Sequence, residues 1–195
     1  MTTTDIDWKS FLGKVSTEKD WDEFLAKFPV DRTEEEKAKR AEIFAAFDPN
    51  GNGYLSLAEI DKGCRDILGL YELFEAKKAI MRAYQAAKGV GNNTDETGAD
   101  YVEKNEFRLL LVYLRDYFIL WKIFEKIDTG NDARINMDEF MRAVSKIETF
   151  FGIEIAQPEA EFAIIDANSG GQLLFDEFAD WALKKILLGE DKALV

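Results

Sequence analysis

Twelve consecutive residues, Asp48-Pro49-Asn50-Gly51-Asn52-Gly53-Tyr54-Leu55-Ser56-Leu57-Ala58-Glu59, alternate oxygen-bearing groups with other residues and close on a glutamate. A hard cation such as calcium takes roughly six to eight oxygens. A twelve-residue loop supplies them from its first, third, fifth, seventh and ninth positions and from a two-oxygen glutamate at the twelfth, with glycine at the sixth for the sharp turn. Asp48, Asn50 and Asn52 offer side-chain oxygens and Tyr54 its backbone carbonyl. Ser56 serves directly or through water, Glu59 closes the site, and Gly53 stands at the turn. The competing reading is a polar interhelical loop without metal, and the complete donor set argues against it.

The same frame recurs, which is the strongest signal in the chain. Phe44 and Phe47 precede the first loop and Ile60 follows it. Phe124 and Ile127 stand likewise before Asp128, with Phe140 after Glu139, and Phe162 and Ile165 before Asp166, with Phe178 after Glu177. Three EF-hand loops therefore share one apolar frame. In the third, Asp128, Asp132, Asn136 and Glu139 remain as side-chain donors and Arg134 offers its carbonyl. Gly130 lacks an oxygen at the third position, and Ala133 replaces glycine at the sixth, where a left-handed backbone costs alanine about 1 kcal/mol. In the fourth, Asp166, Asn168, the carbonyl of Gln172 and Glu177 remain, while Gly170 and Leu174 leave the fifth and ninth positions to water. The third and fourth loops stay open between calcium binding and a metal-free loop, and the fourth is expected to be weaker than the first.

The second unit in chain order is a remnant. Glu106-Phe107 resembles the end of a loop and Val102 its strand residue, but counting back puts Asp95 first, Ala99 fifth and Asp100 sixth, so residues 89–100 read as an expanded loop. Leu55, Val102, Ile135 and Leu173 all carry branched aliphatics at the eighth position. Short antiparallel strands there would join the first unit to the second and the third to the fourth, covering two otherwise exposed edges. The second unit is then a structural partner.

Helices must carry these loops. Trp8, Phe11, Leu12 and Val15, and again Trp21, Phe24, Leu25 and Phe28, fall at helical spacing, giving two short amphipathic helices stopped at Pro29. Either they plug an apolar groove or they pack on the core, and packing is the commoner outcome. Thr33 and Glu36 form a capping box opening a helix to Phe47. Further helices are expected over residues 57–68, 71–88, 104–114, 116–127, 137–150, 158–165 and 175–188, the last but one beginning on Pro158. The fold expected is all-α, with four EF-hand helix-loop-helix units in two pairs and extra N-terminal helices. Residues 1–30 hold those helices, 31–115 the first pair and 116–195 the second.

Composition narrows the function. The net charge is -13, from 25 basic and 38 acidic residues. This disfavours nucleic acid, which needs a basic face, and suits cations or a basic partner segment. The hydrophobic fraction of 47% supplies enough material for a core. The single cysteine, Cys64, excludes an internal disulfide, fits a reducing cytoplasm, and reads as a core residue beside Ile60 and Ile67. The absence of histidine removes the commonest general base and zinc ligand. No nucleophile–base or cofactor motif stands out, so an enzyme is not expected. The apolar run 107–127 is broken by six charges, which excludes a transmembrane span. Thr2 stands where myristoylation needs glycine, so no acylation site is visible and membrane attachment is expected to come through a partner.

From about Arg40 to Lys185 the chain resembles the calflagins, the flagellar calcium-binding proteins of trypanosomatids. The resemblance rests on Ile43-Phe44-Ala45-Ala46-Phe47-Asp48, Gly63-Cys64 followed by Leu68-Gly69-Leu70, Glu106-Phe107-Arg108-Leu109, and Phe175-Asp176-Glu177-Phe178 with Trp181. It implies four helix-loop-helix units, calcium-dependent signalling and a flagellar or ciliary membrane address. The expectation is a calcium sensor that exposes an apolar surface and engages a protein target carrying a basic amphipathic helix. The alternatives are a calcium buffer of the sarcoplasmic calcium-binding type and a metal-poor structural module.

Overall fold

A computed structural model describes residues 18–88, 90 and 100–191. The expected helix around Trp8, the side chain of Trp21, and most of the expanded loop, including Asp95 and Ala99, lie outside the described residues. The chain divides into two compact units, one of Ser16–Phe118 and one containing Ile119–Val195.

The first unit begins with α1 (Glu18–Ala26), whose chain turns at Lys27 and Phe28 just before Pro29. Phe24 and Phe28 are buried, and the Phe24 ring lies 5.0 Å from that of Phe118. Helix α2 (Glu34–Phe47) starts at Thr33, whose hydroxyl accepts from the amide of Glu36. The expected capping box is only half made, because Glu36 turns its carboxylate to the amide of Asp31 instead of Thr33. Strand β1 (Tyr54–Leu55) and α3 (Leu57–Asp66) follow, and the chain leaves α3 through Gly69 at φ +66.

The helix expected over 71–88 is two helices, α4 (Tyr71–Glu75) and α5 (Lys77–Ala87), divided at Ala76 with ψ 58. Both pack on α3. Lys77 bridges them, with its ammonium 2.6 Å from Asp61 on α3 and 3.1 Å from the centre of the Phe74 ring. Packing two directions onto one helix overrides helix propensity at a single buried alanine.

Strand β2 (Val102–Glu103) leads to α6 (Phe107–Ile127). The two helices expected over 104–114 and 116–127 are thus one. It contains no glycine or proline. Arg115 and Asp116, at the expected junction, form a buried ion pair at 2.8 Å on an unbroken helix. Residues of α6 through Phe118 belong to the first unit and those from Ile119 to the second.

The second unit continues with β3 (Ile135–Asn136), α7 (Met137–Phe151) ending at Gly152 (φ +64), α8 (Pro158–Ile165), β4 (Gln172–Leu173) and α9 (Phe175–Asp191). Strand β1 pairs antiparallel with β2, placing Leu55 opposite Val102, and β3 pairs with β4, placing Ile135 opposite Leu173. All four aliphatic residues are fully buried, so the eighth-position pattern correctly gave the partners. The all-α architecture with two short strand pairs stands as expected.

The cores are aromatic. Phe107 meets Phe44 and Phe47 edge-on at 5.3 and 5.6 Å in the first unit. Phe124, Phe175 and Phe178 meet in the second at 5.7–5.8 Å. Each such buried ring contributes about 1.5–3 kcal/mol of transfer free energy. Gly63 lets α3 lie against α2, since a Cβ there would sit 2.5 Å from the Phe47 ring. Cys64 is buried as expected, with Ile60, while Ile67 is half-exposed. Burial pushes the Cys64 thiol up to about 12.

Candidate metal centre

Each loop is closed from within by its first residue. In the first, Asp48 accepts from the amides of Asn52 and Gly53 at 3.2 and 2.8 Å. Asp128 accepts from Asp132 and Ala133 at 3.3 and 2.8 Å, and Asp166 from Gly170 and Gly171 at 2.9 and 2.8 Å. The three aspartates are buried at 8%, 5% and 9% exposure. This cradle requires left-handed backbone at the sixth position, found at Gly53 (φ +82), Ala133 (φ +62) and Gly171 (φ +76). The fourth position is left-handed as well, at Gly51, Asn131 and Ser169. Glycine and asparagine take that conformation readily, whereas serine is not among the residues enriched there.

The twelfth residue does a second job. Glu59 Oε2 accepts from the amide and hydroxyl of Ser56 at 2.9 and 2.7 Å, and Ser56 in turn caps α3. Glu139 Oε2 accepts from the Asn136 amide at 3.0 Å, with Asn136 capping α7. Glu177 Oε2 accepts from the Leu174 amide at 2.9 Å before α9. Each closing carboxylate therefore sits in the first turn of the helix that leaves its loop. Its other oxygen faces back across the loop: Glu59 Oε1 accepts from the Asn50 amide nitrogen at 2.6 Å, and Glu177 Oε1 from that of Asn168 at 2.6 Å. Glu139 Oε1 takes the Gly130 amide and the Thr129 hydroxyl at 2.9 and 3.0 Å. Burial raises the Glu139 carboxyl, but the amides of Asn136 and Gly130 and the Thr129 hydroxyl outweigh it and hold the group below the ordinary glutamate range.

The intermediate donors line up accordingly. Asn52 and Asp132 accept from the amides of Tyr54 and Arg134, at 2.8 and 3.0 Å, which orients the carbonyl-bearing seventh residues. Those residues also meet across the strand pairs. The rings of Tyr54 and Tyr101 lie 6.2 Å apart, and the Arg134 guanidinium donates to Gln172 Oε1 at 2.9 Å. Sequence gave Arg134 and Gln172 a role through their carbonyls and missed this side-chain bond, which depends on strand register. In the remnant unit, Glu106 keeps the helix-capping half of the pattern, accepting from Glu103 at 2.9 Å while buried.

Among the described residues no three carboxylate or thiol groups gather at metal-holding distance. The loops contain few carboxylates, so most donors are amides, hydroxyls and carbonyls. Their chemistry nevertheless fits calcium: every donor is a hard oxygen, and each loop joins a buried aspartate to a facing glutamate. Zinc or copper would select nitrogen or sulfur, which these loops do not offer.

Comparison with known proteins agrees with this chemistry. The FCaBP EF-hand domain family matches residues 24–114, and the EF-hand domain pair family matches residues 116–183. The flagellar calcium-binding protein of Trypanosoma cruzi is 38% identical over 156 residues, covering 79% of this chain and 74% of that protein. Flagellar calcium-binding proteins TB-17 and TB-24 of Trypanosoma brucei brucei are 38% and 37% identical over 161 residues. Each match covers 82% of this chain, with 69% and 73% of the respective relative. No helix among the described residues is long and apolar enough to cross a membrane.

Proposed function

This chain belongs to the flagellar calcium-binding protein family and is a calcium-binding EF-hand protein, and from that premise we propose that it is a calcium sensor. The carrying observation is the double role of Glu59, Glu139 and Glu177. Each is the closing donor of its loop and also holds the first turn of the following helix. A cation that claims the carboxylate competes with that capping bond and so acts on the helix itself.

The loop with Asp48, Asn50, Asn52, Tyr54, Ser56 and Glu59 is the principal site. The loops with Asp128, Asp132, Arg134, Asn136 and Glu139, and with Asp166, Asn168, Gln172 and Glu177, are the others. The remnant unit acts as strand partner, making four units in two pairs. In the second unit Phe140, Phe162, Phe178 and Trp181 pack between helices that flank the loops. Reorienting those helices uncovers that face, which takes an amphipathic helix in a groove. A net charge of -13 selects a basic helix and repels anionic lipid. The names of the relatives support a flagellar or ciliary address.

One observation favours a buffer instead. Trp181 Nε1 donates to Glu161 on α8 at 2.6 Å and Lys185 pairs with the same oxygen at 2.8 Å, tying α9 to α8 in the closed arrangement. Hydrophobic-dye fluorescence during calcium titration decides. A sensor gains dye fluorescence with calcium while binding acidic vesicles weakly, and Glu59→Gln removes the tightest calorimetric phase. Calcium uptake without any dye or tryptophan response establishes the buffer, and tight calcium-dependent binding to acidic vesicles refutes the lipid half of the reading.

A further inference from the structure

Loop three lacks the side chain that stands against the closing carboxylate in loops one and four. There the amide nitrogens of Asn50 and Asn168 lie 2.6 Å from Glu59 Oε1 and Glu177 Oε1. The corresponding residue in loop three is Gly130. Its neighbour fills the place: the Thr129 hydroxyl lies 3.0 Å from Glu139 Oε1. The residues equivalent to Thr129 are Pro49 and Ala167, neither of which carries a side-chain oxygen. Of these three loops, the one without a donor at the third position is the one with a donor at the second.

We propose that Thr129 is the missing oxygen donor of the third calcium site, completing a set of Asp128, Asp132, the Arg134 carbonyl, Asn136 and Glu139. The inference rests on the reading that loop three holds calcium. Calcium keeps its oxygens at roughly 2.3–2.6 Å, so adjacent oxygens around one ion stand about 3 Å apart. Thr129 Oγ1 and Glu139 Oε1 already have that separation. A hydroxyl can give its hydrogen to the carboxylate and still turn a lone pair to the cation. The start of the loop is fixed in this posture by the Thr129 amide, which donates to the Ile127 carbonyl at 2.9 Å. A hydroxyl that only pinned Glu139 would stabilise the metal-free protein without setting affinity.

The test is a calorimetric calcium titration of the full chain, with thermal unfolding in chelator alongside. Glu139→Gln first identifies the phase that belongs to loop three. Thr129→Val, which keeps the side chain's shape and removes its hydroxyl, is expected to weaken that phase at least tenfold, and Thr129→Ser to leave it within twofold. Gly130→Asn restores a donor at the third position. A Cβ there meets only side-chain oxygens, Glu139 Oε1 at 3.3 Å and Asp128 Oδ1 at 3.8 Å. In that background Thr129→Val is expected to change affinity less than twofold. If Glu139→Gln alters no phase, loop three holds no calcium and both readings fall. If it removes a phase that Thr129→Val leaves intact, with only the unfolding temperature in chelator falling, Thr129 is a structural pin and the inference alone falls. An undiminished tenfold loss in the Gly130→Asn background overturns it as well.

Discussion

Ala133→Gly should stabilise the metal-free protein without tightening loop three. Ala133 holds φ +62, and its amide donates to Asp128 Oδ2 at 2.8 Å, so the left-handed turn is already formed. Left-handed backbone costs an L-residue roughly 1–2 kcal/mol through Cβ crowding. Glycine removes that cost but gives the unfolded chain more freedom, an opposing term of about 0.4–1 kcal/mol. The difference is about 1 kcal/mol in favour of the variant, which raises Tm by roughly 4–8 °C for a unit of this size. The equivalent glycines calibrate the sign. Gly53 and Gly171 stand at φ +82 and +76 with no atom within 4 Å of a built Cβ. Gly53→Ala and Gly171→Ala add no clash, carry the same two opposing terms with the signs reversed, and should each lower Tm. Circular dichroism melts in chelator and with calcium form the assay. Equal Tm gains for Ala133→Gly in both media, with unchanged calcium affinity, mean that the strain is common to both states. A fall in Tm, or a rise in affinity with no gain in chelator, would show that Ala133 carries no backbone strain in the metal-free loop.

Leu174→Thr supplies a hydroxyl both at the ninth position of loop four and at the capping position of α9, where Ser56 and Asn136 serve the other loops. It should add about 1 kcal/mol of stability in chelator and tighten the calorimetric phase of loop four severalfold; a gain in only one of the two shows that capping and ligation are separable. Gly170→Asp is a poorer repair, because its Cβ would meet Asn168 Oδ1 at 2.5 Å and displace a donor. Burial raises the Glu161 carboxyl, but Lys185 and Trp181 outweigh it and hold it below the ordinary glutamate range. The ionised group's stabilisation is therefore present above about pH 4.5 and lost as pH falls through the depressed folded value. Glu161→Gln should lower Tm at neutral pH and shift tryptophan emission, with the gap to the unaltered protein closing as pH falls through the depressed folded value. A gap constant across pH would show that the carboxylate charge is not what secures Trp181.

Much of the candidate site was legible in the sequence because ligand spacing is a property of the covalent chain. Twelve residues with oxygens at alternating positions can wrap one cation whatever surrounds them, so Asp48 to Glu59 and its two repeats could be found without a fold. The strand partners were legible for a related reason: a two-residue strand leaves its one inward side chain to be apolar, as at Leu55, Val102, Ile135 and Leu173. Features that depend on neighbours remote in sequence emerge only from the folded packing. The break at Ala76 exists because α4 and α5 both lie on α3, and Arg115 with Asp116 is a buried pair inside α6, where two separate helices were expected. Gly63 matters because the Phe47 ring occupies the space of its missing Cβ. The bond from Arg134 to Gln172 spans 38 residues and follows from the strand register. Thr129 falls one position off the ligand pattern, and only the direction in which the folded loop turns its side chain sets its hydroxyl beside Glu139.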